Sequence, residues 1–106
     1  MSTTTAFKFV SKDGTTRNGY RWPIVTTGEP VRVEASNPTV HDDPCPQHDG
    51  DGLCLARTIR GAQSGGIRMV EAVGLYVTFD EADVLASDDE KIRVSAVTVT
   101  GCFDPV

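Results

Sequence analysis

The 106-residue sequence contains no apolar run near the roughly 18 residues a membrane helix needs, so no membrane partner is expected. Residues 1–6 are polar and Thr-rich and have no hydrophobic segment of the secretory kind, so export by a signal peptide is not expected. Cysteine is scarce. Three residues are too few for a disulfide scaffold, and the odd count leaves at least one outside any internal pair. Basic side chains are in deficit, ten Lys and Arg against fifteen Asp and Glu, for a net charge of −5. An acidic chain is a poor generic binder of phosphate backbones, so no direct nucleic-acid contact is expected. The Gly-rich segment Gly61–Gly66 is not followed by Lys-Ser/Thr and is expected to end a helix, which rules out a phosphate loop. Asp42, Asp43, Asp49 and Asp51 stand close together but lack the offsets and the terminal Glu of an EF-hand loop. There is no nucleophile signature. His41 or His48 is chemically able to serve Cys45 as a base, but no orienting group or oxyanion site can be named.

What is present reads as one domain spanning residues 1–106, since halves of this length would bury too little core. Residues 1–5 are expected to be flexible. Phe7 and Phe9 alternate within Ala6–Val10 and predict a short strand, followed by a turn at Asp13-Gly14. Asn18-Gly19 suits a turn, after which Tyr20 and Trp22 share a face up to Pro23. Val31–Ala35 alternates cleanly. Residues 36–52 hold three prolines and no periodicity, which predicts a long irregular loop that is functional or tied down. Leu55, Ile59 and Ala62 fall at helical spacing behind Asp51 as a cap and ahead of Gly65-Gly66. They predict a three-turn helix over about 52–64. Leu75, Val77 and Phe79 predict a strand, and Asp80–Val84 a single helical turn capped by Asp80. Lys91–Phe103 is a long β-branched stretch whose phase shifts near Ala96-Val97, as at a bulge or in a strand covered on both sides. The expected fold class is α+β: a mostly antiparallel sheet of about five strands with one helix packed on it.

One constellation carries chemistry. His41, Cys45, His48 and Cys54 follow H-x3-C-x2-H-x5-C and include both histidines and two of the three cysteines. Thiolate and imidazole donors on one irregular loop are what a tetrahedral zinc site uses, and a bound zinc would hold such a loop in a small domain. Two alternatives stay open. Cys45 and Cys54 can close a disulfide in an oxidising medium, or Cys54 is a packed residue and the others are surface groups. The spacing matches no common zinc finger. Cys102, in the last strand, reads as a small buried hydrophobe.

Ten of the fifteen acids lie in two blocks, the four loop aspartates above and Asp80, Glu81, Asp83, Asp88, Asp89 and Glu90. Such blocks are usually solvated turns, and otherwise an acidic contact surface for a basic partner.

Several segments resemble a family of small uncharacterised proteins of actinobacteria and their phages. They are Phe7-Lys8-Phe9-Val10 with Gly19-Tyr20-Arg21-Trp22-Pro23, Asp43-Pro44-Cys45-Pro46 with His48-Asp49-Gly50-Asp51-Gly52-Leu53-Cys54, Gly61-Ala62 with Ser64-Gly65-Gly66-Ile67, Ala82-Asp83-Val84-Leu85, and Lys91-Ile92-Arg93-Val94. The resemblance covers nearly the whole chain and is most distinctive from Cys45 to Cys54. It implies a phage or actinobacterial setting, a host cytoplasm or a virion, and no particular reaction. The leading expectation is a non-enzymatic interaction module with a protein partner or a second copy of itself, such as a capsid decoration or minor capsid subunit. An early phage inhibitor of a host or defence protein, acting through the acidic blocks, is the second. A small zinc-dependent enzyme, with three of the four candidate ligands on the metal and the fourth position open to water, is the third.

Overall fold

Among the described residues, period-two alternation of apolar side chains builds seven strands, all paired antiparallel. The structure is a computed structural model that describes residues 3–16, 21–26, 28–63 and 72–104. The strands are β1 (Thr3–Ser11), β2 (Val31–Glu34), β3 (Leu53–Ala56), β4 (Ala72–Asp80), β5 (Val84–Ser87), β6 (Lys91–Val94) and β7 (Ala96–Phe103). One helical turn, α1 (Ile59–Gln63), follows β3, and a 3₁₀ turn, Glu81–Asp83, links β4 to β5. In the sheet the strands run β2-β7-β4-β1-β3-β6-β5.

This architecture is all-β and corrects the α+β expectation of about five strands and a three-turn helix. The difference lies at residues 52–64. Leu53 and Leu55 fit a two-residue period as well as Leu55, Ile59 and Ala62 fit a helical one. Pairing decides between them: Leu53 to Ala56 lie opposite Val94 to Lys91 of β6, which buries Leu53 and Leu55. Helical geometry begins only at Ile59, and the proposed stop at Gly65-Gly66 lies outside the described residues. The N-terminal stretch expected to be flexible is in strand from Thr3 onward, since Thr3, Thr4 and Thr5 pair with Asp80, Phe79 and Thr78 of β4. Asn18, Gly19 and Tyr20 lie outside the described residues. Trp22, beyond them, is buried in the core although it belongs to no strand. The turn capped by Asp80 is present, with Asp80 Oδ1 accepting from the Ala82 amide at 2.9 Å.

The phase change near Ala96 marks a corner. β6 and β7 have only Ser95 between them, yet they stand second from opposite ends of the sheet. The sheet therefore curls until its ends face each other, as in orthogonal sandwiches whose corners are bent strands. Ser95 ties those ends. Its amide donates to the Asp83 carbonyl before β5 (2.9 Å), and its carbonyl accepts from the Ala35 amide after β2 (2.8 Å). A second shift is a bulge at Thr100, where β4 residues Tyr76 and Val77 oppose Gly101 and Val99. With these two shifts Ile92, Val94, Val97, Val99 and Cys102 all reach the core inside the curl, along with Ala6, Val10, Trp22, Leu53, Leu55, Leu75, Val77 and Phe79. The other face of β1 and β4 carries a smaller cluster, where Phe7, Phe9 and Phe103 pack with Ala56, Ala62 and Ala72. Phe9 meets Phe103 edge-on at 5.9 Å between ring centroids, a favoured aromatic geometry. Among the described residues no helix is long and apolar enough to cross a membrane.

Candidate functional site

Loop 36–52 is irregular, as expected, and a buried ion pair organises it. Ile92 and Val94 of β6 face the core, so Arg93 between them points to the other side of the strand, where the loop covers it completely. Its guanidinium Nε donates to the Asp43 carbonyl (3.0 Å), and Nη2 donates to that of His41 (3.1 Å). Nη1 donates to the carbonyls of Thr39 and Asp51 (both 2.9 Å) and to Asp51 Oδ1 (3.1 Å). Four backbone carbonyls of one loop thus converge on one side chain. Arginine suits this role because its fork presents five donors in fixed directions.

Asp51 is the counter-charge and is fully buried. Besides Arg93, its Oδ1 accepts from the Thr39 amide and hydroxyl, both at 2.6 Å. Its Oδ2 accepts from the Gln47 amide at 3.1 Å and faces His41 Nε2 at 2.6 Å. The Asp43 amide donates to His41 Nδ1 at 3.2 Å, which leaves the ring proton on Nε2, directed at the carboxylate. His48 Nε2 stands 3.6 Å from Oδ1. Desolvation pushes the Asp51 carboxyl up. Hydrogen bonds from the Thr39 and His41 side chains and the Gln47 and Thr39 amides outweigh it, and the group lies well below the usual carboxylate range.

The glycines on either side of Asp51 have backbone reasons to be there. Gly50 (φ +81°) and Gly52 (φ +112°) occupy the left-handed region. A Cβ on Gly52 would also come within 2.6 Å of Arg93 Cγ, and one on Gly50 would meet Ser36 Oγ.

The four candidate zinc ligands divide by type. His41 and His48 both turn to Asp51, whereas Cys45 lies exposed on the loop and Cys54 half-buried on β3. Among the described residues no three His, Cys, Asp or Glu side chains are arranged to hold a metal ion. All three thiols are free: Cys45 is exposed, and Cys54 and Cys102 are half-buried. Cys102 packs against the edge of the core.

Beside Cys54 lies a cavity of about 380 Å³ whose lining also includes Lys8, Trp22, His48 and Leu53. It sits where the sheet is weakest, because β1 and β3 share one register pair, Phe7 opposite Ala56. The Lys8 ammonium lies 5.9 Å from the Trp22 ring centroid. Burial pushes this amine down, and the neighbouring Cys54 partly opposes the shift. Burial likewise pushes the Cys54 thiol up against the influence of Lys8.

The second acidic block is partly committed to its own turns. Asp80 caps the 3₁₀ turn, and Asp88 Oδ1 accepts from the Glu90 and Lys91 amides at 2.8 and 2.7 Å. Those backbone bonds, Lys91's first, hold the Asp88 carboxyl below its ordinary value. Glu81 accepts from the Thr4 hydroxyl at 2.9 Å, and the Asp83 carbonyl receives the Ser95 amide. Asp89 and Glu90 are exposed.

Sequence reasoning took Asp51 for a helix cap and assigned Arg93 no role. Two signals bore on them: the Gly-Asp-Gly bracket, and an arginine set between Ile92 and Val94. Comparison with known protein families, curated proteins and solved structures returns no match.

Proposed function

We propose that this chain is a small non-enzymatic protein-interaction module, of the kind that serves as an accessory subunit of a phage particle, and that loop 36–52 is its contact surface. The observation that carries the reading is the use of a fully buried Asp51–Arg93 pair to fix the shape of an exposed loop. Desolvating both charges is costly, and a core needs no such pair for its stability. What the pair supplies is a preorganised loop, and preorganisation lowers the entropy cost of binding. The loop so held displays Val40, 95% exposed, beside the exposed carboxylates of Asp42 and Asp43. An apolar tip flanked by acids suits a partner with an apolar recess rimmed by basic groups. The phage setting rests on the resemblance of the Cys45–Cys54 segment described above.

The test is quantitative mass spectrometry of purified particles of the encoding phage. The chain is expected at a fixed copy number per particle. Val40→Asp, which touches no buried group, is expected to fold normally and to be depleted from particles. A chain missing from particles and monomeric with every host fraction would overturn the reading.

A further inference from the structure

Lys8 stands where β1 otherwise places core residues. Side chains alternate between the two faces of a strand, so Lys8 shares its face with Ala6 and Val10, both fully buried inside the curl. Its register partner on β4, Leu75, is a core residue too. Phe7 and Phe9 take the opposite face. Lys8 is half-buried, and its ammonium lies over the Trp22 ring at 5.9 Å from the centroid. Among the described residues no carboxylate lies within ion-pair distance of it. Arg93, the other cation set between core residues, has Asp51 beside it. Lys8 has the cavity of about 380 Å³ instead, which is within the range of about 300–1,000 Å³ common for small-molecule sites.

We propose that this cavity binds a small monocarboxylic acid with an apolar, ring-sized body, its carboxylate on the Lys8 ammonium and its body against Trp22 and Leu53. A sequestered ammonium is stabilised by an anion, and one cation matches one negative charge. The floor is apolar, with Trp22 3% and Leu53 4% exposed, which favours a carboxylate that carries a hydrophobic group over a bare ion. Pro46 and His48 supply a wall from loop 36–52, so the buried ion pair that shapes the loop also shapes the cavity. Glu34 and Asp49 complete the charge pattern. Both line the cavity but are exposed, and Glu34 accepts from Arg32 Nε at 2.9 Å. Acids at the mouth disfavour a second negative charge, which argues against phosphate esters and dicarboxylates. Val40 is no part of the lining, so the site is separate from the contact tip and does not depend on the proposed function.

The experiment titrates the full chain with hydrocinnamate, with its uncharged amide and with phenylpropylamine, which share one apolar body and differ in charge. Trp22 is the only tryptophan of the chain, so its fluorescence, excited where these probes do not absorb, reports on the cavity itself. Calorimetry supplies the affinities. Hydrocinnamate is expected to shift the Trp22 emission and to bind about tenfold or more tighter than the amide, the difference made by one charge-assisted hydrogen bond. Phenylpropylamine is expected to bind most weakly. In Lys8→Met, which keeps the side-chain length on an apolar face, the acid should fall to the affinity of the amide while that of the amide is unchanged. The comparison of the three probes on wild type decides the matter even if the variant fails to fold. Equal binding of acid and amide would overturn the proposal, as would tighter binding of the amine. So would a Lys8→Met chain that binds the acid as wild type does, or a wild-type chain that shows no response to millimolar acid.

Discussion

Replacing Arg93 by Met keeps a long side chain and removes the charge and all five donors. Four loop carbonyls, those of Thr39, His41, Asp43 and Asp51, lose the bonds that now hold them. The Asp51 carboxylate stays buried and loses its cation, but it keeps the Thr39 amide and hydroxyl, the Gln47 amide and His41. Removing one partner of a buried ion pair costs about 3–5 kcal/mol, and the surviving donors put the expected loss near the lower end, about 3 kcal/mol. Small domains have about 5–15 kcal/mol in all, so the variant should fold but be marginal. Urea denaturation reads the loss as a fall in midpoint at unchanged slope. The cause is tested by adding Asp51→Asn. With the carboxylate gone, Arg93→Met removes no ion pair, and the double variant should lose clearly less than the two single losses summed. Hydrogen exchange supplies a local check, with the Thr39 and Gln47 amides losing protection before the strand amides do. A loss below about 1 kcal/mol for Arg93→Met, or strict additivity in the cycle, would refute the claim that this pair holds the loop.

Acid sensitivity follows from the same carboxylate. Asp51 has a lower pKa folded than unfolded, so the unfolded chain binds the extra proton. Its contribution is complete above about pH 4 and is lost as pH falls further toward the folded value. Urea midpoints from about pH 5 down to about pH 2.5 should therefore drop more steeply in wild type than in Asp51→Asn, and equal slopes would exclude Asp51 as the cause. Gly52→Ala forces a side chain into the left-handed region against Arg93 Cγ and should cost about 1–3 kcal/mol by the same assay, whereas a neutral outcome would show that the bracket around Asp51 is not strained.

The sheet was legible where residues alternate over several positions with a single solution. Val31–Ala35, the core of β1 and the Leu75–Phe79 stretch of β4 were readable for that reason, and so was the Asp80 cap, which is local chemistry. Residues 53–56 were not, because two periods fit them and only the distant β6 decides between them. The corner at Ser95 left a trace one residue away, as a change of phase, but the curl it creates depends on strand order, which alternation does not encode. The His/Cys constellation was legible as a cluster, but not the partners its members take. Sequence proximity grouped four ligand types, and the loop's path sends the imidazoles to Asp51 while Cys54 stays on β3. The group that sets this path is Arg93, 42 positions from Asp51, and no local pattern joins them.

The division of the loop also accounts for the choice of residue at its centre. A segment that covers a strand without pairing to it buries carbonyls that a sheet would have satisfied, and buried carbonyls need donors. Thr39, His41, Asp43 and Asp51 present four such oxygens in directions too varied for one strand edge to meet. Lysine has the charge but offers three donors on a single atom, too few for four carbonyls and a carboxylate. Arg93 reaches all of them, and once it is buried a carboxylate must be buried beside it, which is the place Asp51 fills between two glycines. Cys54 is left outside this network, on the flank where β1 and β3 share a single register pair.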